Sequence, residues 1–409
     1  MAKHMRAFLF ENRRWLATGV LLTFGSSFGQ TWFISLFAGG IRDAYGLSDG
    51  GWGGIYTLAT LSSAALLLSR GGLADTMPLS RLVTLISGLF ALACLGMALG
   101  QSVWVLGVSV FLLRFCGQGM FTHMGITAMG RWFVSTRGKA VSIANLGHPL
   151  GEVALPLGVV LCIGWIGWRA TWGVTALVIL VIMLPLLLWL LARDRAPTGQ
   201  VSFTGSPGLG ARHWRRAEVL RHWLFWALIP MILTPGFIGT VVFFHQAHVA
   251  EVKGWSLISM APAYPAYAGA TVVMSLVAGW AADRFGPERL LPVLLIPMGV
   301  AMFLIGPATT PILWVVALGI LGITQGMSGA LWGAFLPAAY GTDNLGAVRA
   351  TVTAVMVLST AIGPGITGVL IDRGVTFPEQ GVAMGLWCLG LSVAMVPVLL
   401  RYRREGRPG

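Results

Sequence analysis

Gly71-Gly72-Leu73-Ala74-Asp75-Thr76-Met77-Pro78-Leu79-Ser80-Arg81-Leu82 and Gly279-Trp280-Ala281-Ala282-Asp283-Arg284-Phe285-Gly286-Pro287-Glu288-Arg289-Leu290 spell one pattern twice. Gly71, Ala74, Asp75, Arg81 and Leu82 recur as Gly279, Ala282, Asp283, Arg289 and Leu290, each 208 residues on in a chain of 409. An offset of half the chain length, kept by five residues, describes two halves of like construction and like orientation. Both copies are short polar punctuation between long apolar stretches, so the nature of those stretches decides the fold.

Hydrophobic residues make up 56% of the chain and charged residues 10%, with a mean hydropathy of +0.80. That excess over the needs of a soluble core excludes a water-soluble enzyme. A hydrocarbon layer of about 30 Å takes about 20 apolar residues per helix. Continuous apolar runs such as 177–191 exclude a spanning β-barrel, whose strands alternate apolar and polar residues. The 55 glycines and 20 prolines fall largely inside apolar segments, where small residues let helices approach closely. Apolar windows predict six spans near 15–40, 52–69, 81–100, 103–128, 139–163 and 169–191. Six more follow near 223–249, 257–281, 289–308, 311–335, 348–371 and 381–400. The expected organisation is a first bundle over 1–191, a basic Gly- and Pro-containing cytoplasmic linker over 192–222, and a second bundle over 223–409.

The formal net charge of +13, from 27 Lys+Arg against 14 Asp+Glu, raises nucleic-acid binding, but the placement of the charges argues against it. Of the basic residues, 22 lie in the N-terminus, the even-numbered loops and the C-terminus; four (Arg42, Arg169, Lys253, Arg373) lie on the opposite side. The positive-inside rule then places both termini in the cytoplasm, for a multi-pass protein of a bacterial inner membrane. Linker cations also suit anionic lipid headgroups, although topology alone accounts for them. The remaining cation, Arg114, falls inside a span. Cys94, Cys116, Cys162 and Cys388 all lie in apolar segments, with neither disulfide nor metal-ligand spacing. The apolar stretch after the basic leader is too long for a signal peptide and reads as the first permanent span.

The repeated loop resembles the GxxxD-(R/K)-xGxxR signature of the major facilitator superfamily, and the span count, halves and linker extend that resemblance over the chain. It implies two six-helix bundles related by pseudo-two-fold symmetry. It also implies that Gly71, Asp75, Arg81, Gly279, Asp283, Arg284 and Arg289 form a gating latch, in which the aspartate meets a helix N-terminus and nearby basic residues. The first copy departs from the pattern at Thr76 and Pro78, whereas the second keeps Arg284 and Gly286. Span four carries Arg114-Phe115-Cys116-Gly117-Gln118-Gly119, similar to the family's RxxxG element; 207 residues on, Gln325-Gly326 echo Gln118-Gly119, but Leu321 replaces the arginine. Gly138, Gly147 and Gly151 begin the family's antiporter spacing, which then breaks at Glu152 and at Leu155-Pro156. Gly363-Pro364-Gly365 and Gly368 form another small-residue element in span eleven.

Arg114 lies about 16 Å from the outer end of its predicted helix. A lone charge at that depth costs at least about 2.5–3.5 kcal/mol and calls for a partner, water or a ligand. Glu152 on the next span is the expected partner, either as a fixed pair or as one that opens for a proton or an anion. His148 and Glu152, four residues apart with Asn145 nearby, form either a proton relay or a polar stripe. Arg114, Gln118 and Thr122 share one helix face, with His123 opposite as an inter-helix residue. His245 and His248 are expected at a solvated membrane interface. Gln30, Trp32, Tyr264, Tyr267, Gln325, Trp332, Ser359 and Thr360 lie midway along spans that, by the family resemblance, line or flank a central cavity. Most of the 17 tryptophans suit interfacial belts.

No Walker A, HExxH or Ser/His/Asp arrangement appears, so neither an enzyme nor a cofactor is expected. Uphill transport would then draw on an ion gradient, and the midplane residues favour a proton over sodium. The leading expectation is a proton-coupled carrier of a small organic anion such as a carboxylate. Arg114, Gln118, Gln30, Gln325, Tyr264, Tyr267 and Trp332 would contact substrate, and Glu152, His148 and Arg114 would couple the proton. The alternatives are a proton-driven exporter of amphipathic compounds and a non-transporting receptor on the same fold. The expected partners are a small molecule, protons and membrane lipid, with a monomeric chain.

Overall fold

A computed structural model describes residues 2–133, 136–192 and 207–405; the side chains of residues 2–7, 75, 76, 137 and 211 lie outside that description. The described residues are helical nearly throughout and form no β-sheet. In hydrocarbon a helix satisfies its own backbone, and that physical constraint selects this one element.

The first unit comprises 1–202. Helix α1 begins as Ala2–Gly25, passes through a 3₁₀ turn at Ser26–Gly29, resumes as Thr31–Ser35 and bends by 63° into Ala38–Tyr45. The single span expected over 15–40 is thus a broken one. Next come α2 (Asp49–Arg70), α3 (Leu79–Leu99) and α4 (Val103–Trp132). Ser48 and Ser102 start α2 and α4 by accepting from Gly51 N (3.0 Å) and Val105 N (3.3 Å).

The next helical stretch, Gly138–Leu191, is 54 residues long. At about 1.5 Å per residue that is enough for two crossings. Its backbone breaks at Gly167 (φ 80°, ψ 162°), a conformation that favours glycine. The break separates α5 (138–166) from α6 (168–191).

The second unit, 203–409, carries α7 (Trp223–Phe244), α8 (Leu257–Phe285), α9 (Pro287–Ile305), α10 (Pro311–Tyr340), α11 (Leu345–Asp372) and α12 (Phe377–Glu405). With the bent α1 counted once and the stretch divided at Gly167 counted twice, the described residues supply twelve crossings.

Within each unit, helices meet through small residues. A Cβ on Gly147 of α5 would run into Thr23 Oγ1 and Val20 O of α1, and one on Gly151 would come within 3.0 Å of Ser27 Cβ. The glycine spacing read from the sequence is therefore a contact between α1 and α5. In the second unit, Gly236 of α7 faces Ser359 Oγ of α11 at 2.6 Å from an added Cβ, and Gly363 of α11 faces Val241 of α7. Gly326, the echo of Gly119, lies against Ser275 N of α8 at 2.9 Å from an added Cβ.

Residues 207–222, read above as the end of a linker, are built onto the second unit. Trp214 N donates to Tyr340 O (3.0 Å), and the Trp214 indole donates to Leu209 O (3.0 Å). The Arg212 guanidinium stacks 3.8 Å above the same indole, and the His222 ring packs 4.5 Å from it. Burial holds the His222 pKa below the usual histidine value, and its Nδ1 has no hydrogen-bond partner.

Two outcomes follow. Gly147→Leu should lower stability by about 1–3 kcal/mol through overpacking. Gly158→Ala, where an added Cβ meets nothing within 4 Å, should be neutral or stabilising by about 0.5–1 kcal/mol; thermal unfolding of the detergent-purified protein reads both. Because docking lowers the His222 pKa through burial, the undocked form binds the proton more readily. Docking is therefore complete above about pH 6.5 and weakens as pH falls below it, read as faster amide hydrogen exchange over 208–222.

Candidate functional site

The 3₁₀ turn at Ser26–Gly29 gives way to an extended Gln30 (φ −78°, ψ 152°), which interrupts the α-helical ladder and leaves the Gly29 carbonyl available. Opposite it, α4 widens into a π-helix over Arg114–Phe121. Such bulges recur at functional sites. The two irregularities touch: a Cβ on Gly117 would lie 2.6 Å from Gly29 Cα. Only glycine at both positions lets the backbones come this close.

Through this contact the Arg114 guanidinium, 2% exposed, reaches α1. Its Nη1 donates to Gly29 O (3.2 Å) and Thr31 Oγ1 (3.3 Å). Thr31 Oγ1 shares a 2.6 Å hydrogen bond with Tyr56 OH of α2, and the guanidinium lies 5.2 Å from the Tyr56 ring centroid. Every one of these partners is neutral. Arg114 Nε is buried with no hydrogen-bond partner.

The expected Arg114–Glu152 pair is not formed. Among the described residues no carboxylate lies within 4 Å of Arg114, and Glu152, half-buried on α5, makes neither an ion pair nor a hydrogen bond. The reason is the closer claim of α1 and α2 on the guanidinium. His148 instead meets Ser26 through its Nδ1 (3.2 Å). Gln30 and Gln118 flank the Gly29–Gly117 crossing as half-buried amides whose side chains hydrogen-bond to no described residue. Arg114, Gln30 and Gln118 are thus brought to one place, while His148 and Glu152 lie on α5, which packs against α1 at Thr23 and Ser27.

In the second unit, Tyr264 (2% exposed) donates from its hydroxyl to Gln246 Oε1 (2.8 Å), and Phe243 packs against Tyr264 and Tyr267 at 5.6 and 5.0 Å. Trp332 is buried edge-on to Phe335 at 6.0 Å, whereas Gln325 is exposed. His245 is buried and bonded to Thr367 Oγ1 (2.7 Å), which corrects the expectation of a solvated interfacial histidine. A separate helix, Gln246–Lys253, follows directly, and its His248 ring lies 6.4 Å from the His245 ring.

At the repeated loop, α4 holds the first copy by its backbone. His123 Nε2 hydrogen-bonds with Gly71 O (3.0 Å) and Arg131 donates to Ala74 O (3.0 Å). The Asp75 side chain lies outside the described residues. In the second copy Gly286 has φ 85°, a left-handed conformation closed to Pro78, its counterpart. Gly279 is half-buried in α8. Asp283 is exposed and pairs with no described residue, Arg284 lies 5.5 Å from the Trp280 and Phe285 rings, and Arg81 and Arg289 are exposed. The expected carboxylate latch is therefore not formed within the second unit.

Sequence reasoning missed Gly29 O, Thr31 and Tyr56, the residues that hold Arg114. For Gly29 and Thr31 the only signal was the polar break at Gln30-Thr31 midway along the first apolar span; nothing in the sequence singled out Tyr56 near the start of the second.

The family model of the Major Facilitator Superfamily matches residues 19–364 and 263–409. One curated relative, the probable sulfoacetate transporter SauU of Cupriavidus necator, is 35% identical over 78 residues, which span 19% of this chain and 18% of that protein. A bacterial homologue of the human lysosomal transporter Spinster, solved inward-facing and unoccupied, superposes with a TM-score of 0.69 at 17% identity, covering 96% of this chain and 95% of its own. The nucleoside transporter NupG superposes with a TM-score of 0.68 at 11% identity, covering 97% and 100%. At these identities the likeness is one of fold.

Tyr56→Ala should cost about 3–5 kcal/mol, because it removes a fully buried ring and a bond to Thr31. Glu152→Gln breaks no bond and should change stability by less than about 0.5 kcal/mol. Equal losses in denaturant or thermal unfolding would contradict this assignment.

Proposed function

We propose that this chain, which belongs to the Major Facilitator Superfamily and is a multi-pass membrane transporter, carries a small organic anion in a proton-coupled cycle of alternating access. The observation that carries the reading is Arg114: a buried cation with neutral partners only and a buried Nε–H that donates to nothing. A charge at that depth costs at least about 2.5–3.5 kcal/mol without a counter-charge. An anionic substrate supplies one, and a guanidinium suits carboxylate or sulfonate oxygens in a forked geometry. Gln30 and Gln118 flank the same contact with free amides for further hydrogen bonds. The short match to a probable sulfoacetate transporter points the same way, since sulfoacetate bears a carboxylate and a sulfonate.

Glu152, with no cation fixed beside it, is free to carry a proton, and His148 lies one helical turn away. The charge bias places both termini in the cytoplasm, consistent with twelve crossings. Two of the three glycines shared with antiporters, Gly147 and Gly151, are accounted for by packing against Thr23 and Ser27, so they lend efflux no separate support.

In proteoliposomes, uptake of two-carbon to four-carbon carboxylates or sulfonates should acidify the receiving compartment. Arg114→Gln should reduce uptake at least about a hundredfold, the effect of losing a buried charge-assisted contact of about 3 kcal/mol, while Glu152→Gln should leave exchange of the anion but abolish proton movement. Anion uptake that survives Arg114→Gln would overturn the reading.

A further inference from the structure

A crevice of about 620 Å³ opens between α7, α11 and α12 of the second unit, far in sequence from Arg114 and unused by the proposed cycle. Pro230 and Phe237 of α7, Ile366 and Leu370 of α11, and Ala383 and Trp387 of α12 give it almost wholly apolar walls. Ile366, Ala383 and Trp387 are exposed, so the crevice is open to the surroundings of the helices rather than sealed. Its inner end is fixed by the Trp387 indole, which donates to Thr234 Oγ1 (3.0 Å). From Glu379 to Trp387, and from Leu370 down to Ser359, it runs about 12–16 Å along the helices.

The mouth has the opposite chemistry. Glu379 accepts from Thr376 N and Thr376 Oγ1 (both 2.8 Å) through a single oxygen, Oε2, and its exposed Oε1 is left open. Gln380, 4% exposed and on the crevice wall, donates through Nε2 to Val375 O (3.0 Å) and Thr367 O (3.3 Å), while its Oε1 is buried with no donor. The mouth thus presents one open carboxylate oxygen, while the unpaired Gln380 oxygen is sealed behind it.

We infer that the crevice holds one acyl chain of a phosphatidylethanolamine molecule, with the ammonium group at Glu379. The apolar length suits a lipid chain, which is also the surrounding solvent at that depth. The headgroup follows from that carboxylate. Phosphatidylcholine has the charge but no N–H to donate, and phosphatidylglycerol brings a net negative charge to Glu379. This assignment is independent of which anion Arg114 meets.

The test is native mass spectrometry of the full-length purified chain titrated separately with dioleoyl phosphatidylethanolamine, phosphatidylcholine, phosphatidylglycerol and oleic acid. Phosphatidylethanolamine should be retained about tenfold more than the other three, the gain expected of one charge-assisted hydrogen bond. Ala383→Trp, which fills the crevice, should remove that retention, and Ile366→Trp serves as the second filling variant should the first fail to fold. Glu379→Gln, which keeps the cap on α12, should bring phosphatidylethanolamine and phosphatidylcholine to near equality. Equal retention of all lipids, preference for oleic acid, or retention unchanged by both filling variants would overturn the inference.

Discussion

At Gly29 and Gly117 two helix backbones touch, and the chemistry of the first unit hangs on that contact. A Cβ at either position would force α1 and α4 apart. The Gly29 carbonyl would then no longer reach the Arg114 guanidinium 85 residues away, and Thr31 would lose its place between Arg114 and Tyr56. The 3₁₀ turn in α1 and the π-helix in α4 are the local departures that make the approach useful, one exposing an acceptor and the other re-aiming a donor. In hydrocarbon such departures survive only where protein groups satisfy the freed backbone.

The same constraint shapes both units. With little hydrophobic drive between helices in lipid, close packing and inter-helix hydrogen bonds hold them together, and glycine permits both. Gly147 and Gly151 seat α5 on Thr23 and Ser27, and Thr23 Oγ1 in turn bonds to Ala144 O. In the second unit Gly322 and Gly326 seat α10 on α8, where Thr271 donates to both Tyr267 O and Gly322 O. Hydroxyls beside glycines recur because each supplies a short donor where a longer side chain would not fit.

Charge is distributed with equal economy. The buried cation and the acid of the first unit are kept apart, so neither neutralises the other. An ion pair would satisfy both charges at once; instead the cation lies among neutral acceptors and one ring, and the acid has no fixed partner among the described residues. Burial of Arg114 against Tyr56 makes the site tolerable without closing it.

Composition and pattern by themselves determined the membrane class, the doubled construction, the twelve crossings and the singular position of Arg114, because hydrocarbon thickness and charge placement act on sequence directly. Gly147 and Gly151 stood out in the sequence only as the start of an antiporter-like spacing, and their packing role is a finding of the structure. What only the tertiary structure decided is rotational and local: that Arg114 turns to Gly29, Thr31 and Tyr56 rather than Glu152, that His245 is buried on Thr367, and that the end of the linker docks through Trp214. The reason is physical. In a spanning helix the lipid-facing and protein-facing sides are both apolar, so periodicity does not say which way a helix is turned. Only the contacts of backbones brought together by glycine fix that rotation, and with it the partners of every buried polar group.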